Sequence, residues 1–234
     1  MRATLISRSG LAALPVLILL AACQPAPKTA EAPKPGAAAF TAPDLLPGTY
    51  RLDPDHTTVL FRVDHVGMSN FTGQFGKIDG SLVLDPGSPA ASSIVAEIDA
   101  GSLKTNVQVS PGFDKTLTGP EWLDAGAHPK ISFKSTKVTM TGPDTADIAG
   151  DFTLKGVTKS IVLRAKFNDG YKPNAMDGAR VGFSATTSFK RSDFGISYGI
   201  PAPGSKMGVS DEVEVIIETE FTQGKPTGEP MPAH

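Results

Sequence analysis

The feature that most constrains the fold of this chain is a two-residue alternation of apolar and polar side chains, which runs through residues 48–221. The clearest example is one face of the last such segment, formed by Val213, Val215, Ile217, Thr219 and Phe221. Its opposite face carries glutamates at positions 212, 214, 218 and 220. Because successive side chains of a β-strand point to opposite faces, this period predicts strands with one buried face.

Turn-forming residues separate the alternating segments, at 85–87, 142–144, 155–156, 168–170 and 201–204. Their spacing predicts eight or nine antiparallel strands. An open sheet of this size would expose two strand edges, and closure into a barrel removes them. We therefore expect an all-β fold, an eight-stranded antiparallel barrel. One stretch breaks the period, and the helix-like spacing of Leu117 and Trp122 predicts a short helical insertion near residues 111–126.

The inward faces of the predicted strands mix large and small residues. The large ones include Phe61, Phe133, Phe152 and Phe183, and the small ones include Gly80, Ala96, Gly150 and Ala185. The interior of an eight-stranded barrel is either filled by side chains or holds one elongated ligand. This mixture is compatible with a solid core and equally with a tunnel.

The N-terminal segment has the pattern of an export signal. Arg2 and Arg8 precede an apolar run at 11–20 that is too short to span a bilayer. The run ends in Leu20-Ala21-Ala22-Cys23, which resembles the bacterial lipobox and implies lipidation of Cys23. An ordinary secretory signal is the alternative. Because Gln24 follows the cysteine, we expect a lipid-anchored protein on the periplasmic side of the bacterial outer membrane.

These patterns divide the chain into four parts. Residues 1–22 form the predicted lipoprotein signal peptide. Residues 23–47 hold the lipidated cysteine and a tether rich in Ala and Pro, a composition that favours extended chain over helix. The barrel is expected over 48–222, and a disordered tail over 223–234.

Composition and spacing exclude several classes of function. A formal net charge of −2 argues against nucleic-acid binding. The single Cys excludes an internal disulfide and a multi-cysteine metal site. His56 and His65 are too far apart in sequence for helical or strand ligand spacing, so we expect no metal. The cysteine is assigned to the anchor rather than to a nucleophile. We therefore expect no enzymatic activity, no catalytic residue and no cofactor.

Nine short motifs follow one another along the predicted barrel. They are LDPDHTTVLF at 52–61, VDHVGMS at 63–69, GQF at 73–75, GSL at 80–82, Ser102 with Thr105, WLD at 122–124, HPKISFKS at 128–135, FTLKGVT at 152–158 and RSDFGI at 191–196. Each motif alone is weak. In this order and spacing they resemble the YceI-like family of secreted bacterial proteins, over roughly residues 50–221.

The resemblance implies a lipocalin-like barrel and a function in binding. We expect a periplasmic, membrane-anchored protein that holds an isoprenoid lipid, either a polyprenyl phosphate or a quinone-like lipid, in the barrel interior. The expected ligand-binding residues are Val59, Phe61, Val63, His65, Phe71, Phe75, Phe133, Phe152, Phe183 and Arg191. The expected partners are this lipid, the membrane through the N-terminal anchor and a second copy of the chain in a dimer. The alternative is a non-catalytic stress-response or interaction lipoprotein with a solid barrel core.

An anionic head group would need a cation at the barrel mouth. Where the family has Arg-Asp-x-His-Leu, this chain has Phe113-Asp114-Lys115-Thr116-Leu117, so the Arg and the His are missing. Lys115, Lys130 and Arg191 are the remaining candidates. Arg191 is favoured because it directly follows a long apolar strand, and a structural ion pair with Asp193 is its alternative role.

Overall fold

The structure is a computed structural model that describes residues 45–174 and 176–224. The predicted signal peptide, Cys23, most of the tether and most of the tail lie outside these residues. The strands are β1 (Gly48–His65), β2 (Ser69–Phe75), β3 (Ile78–Leu84), β4 (Ser93–Asp99), β5 (Leu103–Thr105), β6 (Lys130–Met140), β7 (Thr145–Leu154), β8 (Val157–Tyr171), β9 (Ala179–Lys190) and β10 (Val209–Gln223). The helical segments are α1 (Phe113–Leu117) and 3-10 turns at Pro89–Ala91, Ala100–Ser102 and Arg191–Phe194.

Eight of the strands close into a barrel. In the order β1-β10-β9-β8-β7-β6-β4-β3, each strand pairs antiparallel with the next, and β3 pairs back onto the start of β1. Closure depends on the pairing of the first strand with the last, from Arg51 opposite Thr222 to His65 opposite Val209. The predicted all-β, eight-stranded antiparallel barrel is confirmed. Closure leaves these strands without a free sheet edge.

The remaining two strands form a short ribbon at one end of the barrel. β1 is long enough to pair with β3 over 48–51 and with β2 over 59–65. β5 then pairs with β2. The two-residue alternation does not predict β5, because three residues are too few to show a period.

The irregular stretch after β5 contains the predicted helical insertion. α1 has five residues, a length that does not form a stable helix in isolation. Contacts with β5 hold it, since the backbone N–H and Oγ1 of Thr105 both donate to Oδ1 of Asp114, at 3.0 and 2.6 Å. The last residue of α1, Leu117, is buried. In the part of the chain that the structure describes, no helix is long and apolar enough to cross a membrane.

The two ends of the barrel differ. At the terminal end, β1 begins at Gly48, opposite Leu84, and β10 ends at Gln223. At the insertion end lie the β1–β2 turn (66–68), α1 and the loop 195–208 before β10. Each end has a core cluster: Leu45, Tyr50, Leu52, Leu82, Leu84, Ala179, Val181 and Phe221 at the terminal end, and Ala100, Ile131, Leu154, Phe194 and Ile196 at the insertion end.

Two inward glycines of the sheet are covered by phenylalanine rings. A Cβ at Gly73 would lie 2.5 Å from ring atoms of Phe61, which is its cross-strand partner. A Cβ at Gly150 would overlap the ring of Phe133. A ring packed over a glycine compensates for the missing side chain. At these two positions a large inward residue therefore lies beside a small one because the ring of the large residue packs over the glycine.

Candidate functional site

The interior of the barrel is not solid. A cavity of about 190 Å³ lies toward the terminal end. Its wall is formed by side chains on the inward faces of the strands. Among them are Ile78, Ile94, Ile148, Leu163, Phe183 and Ile217. Four threonines, Thr57, Thr145, Thr187 and Thr219, add hydroxyl groups, and Thr57 and Thr219 bond each other at 3.0 Å. A wall of this kind suits an apolar guest.

A larger cavity of about 690 Å³ lies toward the insertion end. Strand residues form one side, and the ribbon and the insertion form the other, with Leu103, Val107, Phe113, Leu117 and Trp122 in the wall. The exposed lining residues are His65, Ser69 and Val109, and all three lie at the insertion end. The larger cavity therefore opens to solvent at that end.

Six residues line both cavities, and each comes from a different strand. They are Val59, Ile98, Ile131, Phe152, Phe189 and Val215. We call this set the girdle. The rings of Phe152 and Phe189 are its largest members, and their centroids are 5.1 Å apart. An elongated ligand that extends from one cavity into the other must pass the girdle.

All ten residues expected to bind ligand line one cavity or the other. Val59 and Phe152 line both, Phe133 and Phe183 line the smaller cavity, and Phe61, Val63, His65, Phe71, Phe75 and Arg191 line the larger one. The structure thus brings them into one interior, and their contact with a ligand stays a prediction.

Two groups of wall residues are not among the ten that the sequence predicts to bind ligand. Phe167 and Phe189 share the inward faces of β8 and β9, so the period of two already pointed to them. Phe113 and Trp122 come from the insertion, whose position over the barrel end no periodicity reveals. The ring of Phe113 meets that of Phe71 edge to face, with centroids 5.8 Å apart.

Arg191 is a buried part of the cavity wall. Its Nε donates to the Ser210 carbonyl at 2.8 Å. Its terminal nitrogens donate to the carbonyls of Ile196, Tyr198 and Val209 at 3.2, 2.8 and 2.9 Å. The guanidinium also lies 5.3 Å from the Trp122 ring centroid. Burial lowers the pKa of Arg191, and the nearby Asp211 carboxylate partly opposes that shift.

The other candidate cations lie on the surface. Lys130 pairs with Glu97 at 3.4 Å, and both side chains are largely exposed. Lys115 is exposed on α1. Neither residue lines a cavity among the described residues. Among the described residues that line the two cavities, Arg191 is the only lysine or arginine, and its donors are bonded to backbone carbonyls.

Asp53, His56 and Glu220 lie close together at the terminal end, with ligand atoms within 4.8 Å of one another. A cation is already present there, since Nη1 of Arg180 donates to both carboxylates, at 2.7 and 2.5 Å. Nδ1 of His56 lies 2.9 Å from Asp53. This arrangement explains the cluster as an ion network. His65 lies at the far end of β1 and takes no part in it.

Residues 195–199 read Gly-Ile-Ser-Tyr-Gly, the spacing of a nucleophile elbow. That motif requires a turn from a strand into a helix. Here Gly195 ends a 3-10 turn, and Ser197 lies in an irregular loop. The segment therefore lacks the geometry that would activate a serine.

A family model described as the YceI-like domain matches residues 50–221. The chain belongs to the YceI-like family. It is 35% identical over 196 residues to a UPF0312 protein of Pseudomonas paraeruginosa, covering 82% of this chain and 96% of that relative. A UPF0312 protein of Pseudomonas syringae pv. tomato is 38% identical over 173 residues, covering 73% of this chain and 87% of that protein.

Solved structures share the fold of this YceI-like chain. BcnA of Burkholderia cenocepacia aligns with a TM-score of 0.60 at 21% identity, over 72% of this chain and 98% of BcnA. The YCEI protein of Campylobacter jejuni aligns with a TM-score of 0.58 at 25% identity, over 69% and 90%. A domain of Saccharophagus degradans described as polyisoprenoid-binding aligns with a TM-score of 0.55 at 13% identity, over 75% and 98%.

Proposed function

We propose that this chain is a non-catalytic binding protein that holds an isoprenoid lipid inside the barrel. The observation that carries the proposal is the pair of apolar cavities that meet at the girdle. A branched hydrocarbon chain that enters them is stabilised by roughly 25 cal/mol for each Å² of apolar surface removed from water. The polyisoprenoid-binding neighbour of the same fold supports this ligand class.

The wall favours a quinone-like head group over a polyprenyl phosphate. Phe113 stands where the family has an arginine, and it lines the larger cavity beside Phe71. The donors of Arg191 are directed at backbone carbonyls. A buried phosphate needs partners for its charge, whereas a neutral carbonyl or hydroxyl needs one or two hydrogen bonds.

We further propose that the protein is exported and lipid-anchored at Cys23 on the periplasmic side of the outer membrane. Support comes from the lipobox-like sequence at 20–23 and from Gln24. The alternative of an interaction lipoprotein with a solid core gains no support from an interior that holds two cavities.

Trp122 makes the proposal testable by fluorescence, because it is the one tryptophan of the chain and lines the larger cavity. We expect a short-chain ubiquinone to quench Trp122, and farnesol to compete with it. Val63→Phe adds bulk to the wall of the larger cavity, and should weaken quinone binding by tenfold or more. Lipid extracts of natively purified protein should contain an isoprenoid by mass spectrometry.

Val162→Phe is the matched control, since Val162 is 45% exposed on the outer face of β8. It should leave quinone affinity unchanged. If the parental protein carries no lipid and binds neither farnesol nor the quinone, the proposed function is wrong. Equal losses in the two variants would mean that the ligand does not occupy the barrel interior.

A further inference from the structure

Four apolar side chains are at least 80% exposed among the described residues, and three of them surround the mouth of the larger cavity. Met68 is 87% exposed, Val109 94% and Met207 80%. We call these three residues the mouth rim. The fourth, Met176, lies in the β8–β9 connection at the terminal end.

The positions of the three residues in the chain, at or beside residues that line the larger cavity, locate the mouth rim. Met68 lies in the turn between His65 and Ser69, which both line the larger cavity, and Val109 lines it directly. Met207 precedes the lining residue Val209 by two positions. The turn and the 195–208 loop are joined, because the Val66 N–H donates to the Gly208 carbonyl at 3.0 Å.

We propose that the mouth rim docks on a lipid bilayer, with its three apolar tips between the acyl chains. The ligand then passes between the larger cavity and the membrane without crossing water. The transfer step rests on the proposed function, whereas docking itself needs only the exposed tips. Contiguous or clustered exposed apolar side chains mark interaction sites on soluble domains.

The arrangement of the tips suits a membrane better than a protein partner. They come from three separate segments, the β1–β2 turn, the stretch before α1 and the loop before β10. Separate tips can insert independently among mobile lipid chains. Two lysines lie nearby: the stem of Lys206 packs over Gly67, and Lys115 is exposed on α1. Ammonium groups at this level favour anionic lipid head groups.

The chain length before the barrel permits this orientation. Anchoring at Cys23 would leave 23–44 ahead of the described residues, a segment that reaches roughly 70 Å at about 3.1 Å per extended residue. β1 has 18 residues and is therefore at most about 60 Å long at 3.3 Å per residue. Although the chain enters at the terminal end, the insertion end can therefore reach the same membrane.

The test uses the chain from residue 23 onward with Cys23→Ser, so that no acyl chain contributes to binding. Vesicles of phosphatidylethanolamine and phosphatidylglycerol, without isoprenoid, serve as the probe. We expect the protein to co-sediment with them. Met68→Asp, Val109→Asp and Met207→Asp should each weaken the partition coefficient about tenfold, because each removes one apolar side chain from the lipid phase.

Met176→Asp is the matched control and should sediment like the parental protein. Loss of co-sedimentation in Met176→Asp equal to that in the rim variants would overturn the proposal, as would a parental protein that stays in solution. A rim variant that converts a dimer to a monomer in size-exclusion chromatography, with vesicle binding unchanged, would instead assign the rim to a second copy. A chain that docks but fails the Trp122 titration contradicts the proposed function and leaves the docking surface standing.

Discussion

At the scale of single residues, Arg191 is the side chain whose sequence context and structural role differ most. Its position after a long apolar strand indicated a cation for a ligand head group. Its four hydrogen bonds to carbonyls also connect the end of β9 with the 195–208 loop and the start of β10, while its role toward a ligand stays a prediction. The sequence had suggested an ion pair with Asp193 as the alternative, structural role of Arg191. The structural role that is described consists of these bonds to carbonyls.

Arg191→Gln should therefore act mainly on stability. Buried carbonyls that lose their donors destabilise a fold, and we expect the free energy of unfolding to fall by about 3 kcal/mol. Affinities for farnesol and farnesyl phosphate should fall by the same factor, as measured by Trp122 fluorescence. Lys190→Gln, at the exposed neighbouring position, should change neither quantity. A loss confined to farnesyl phosphate would restore Arg191 as a head-group partner.

At the scale of elements, β1 is held to its neighbours by an ion network near an irregularity in its pairing. The register with β10 shifts between Asp53 and Thr58. Arg180 of β9 bonds Asp53 of β1, Glu220 of β10 and Asp177. Burial opposes ionisation of Asp53, but bonds from Arg180 and His56 outweigh it and hold its pKa below the ordinary 3.8. The pKa of Asp177 is lowered in the same way, with Tyr171 and Arg180 as donors.

This network predicts an acid-dependent contribution to stability. A carboxylate whose pKa is lowered in the folded state stabilises the fold above its unfolded pKa, near 3.8, and that contribution disappears as the pH falls through the folded value. Arg180→Gln should lower the free energy of unfolding at pH 7 by about 2 kcal/mol. Its stability should also fall less between pH 5 and pH 2 than that of the parental protein.

Arg62→Gln is the matched control for this prediction. Arg62 also joins β1 to β10, through Glu214, but its side chain is 39% exposed against 20% for Arg180. An exposed pair contributes roughly 0–1 kcal/mol. Urea titrations across this pH range that give the same curves for both variants would show that the network has no special role.

The elements that the sequence predicts best are those whose period is long. The inward face of β10 was correctly placed because alternation over many residues leaves one choice of face. The ribbon strand β5 and the position of α1 could not be predicted from alternation. Both depend on tertiary contacts, such as Asp114 with Thr105, that no local pattern encodes. These two elements contribute Leu103, Phe113 and Leu117 to the wall of the larger cavity, so the size of that cavity could not be predicted.

At the scale of the whole molecule, the girdle divides the barrel interior into the smaller and the larger cavity. We expect the girdle to set the length of the hydrocarbon chain that the protein accepts. Val215→Phe adds bulk there and should weaken binding of long-chain solanesol at least tenfold. Farnesol, which fits the larger cavity, should be bound as before. Competition against ubiquinone at Trp122 measures both affinities, and equal losses for the two alcohols would refute a length limit.

The pairing of β1 with β10 also orders events during synthesis. Neighbouring strands such as β6, β7, β8 and β9 can pair as they emerge, but the barrel cannot close until Val209–Gln223 has been made. Until then the inward faces of the strands remain in water, and chains in this state are prone to aggregate. β1 can pair with β2 and β3 early, but its pairing with β10 must wait for nearly the whole domain. A chain that ends before Val209 therefore cannot close the barrel.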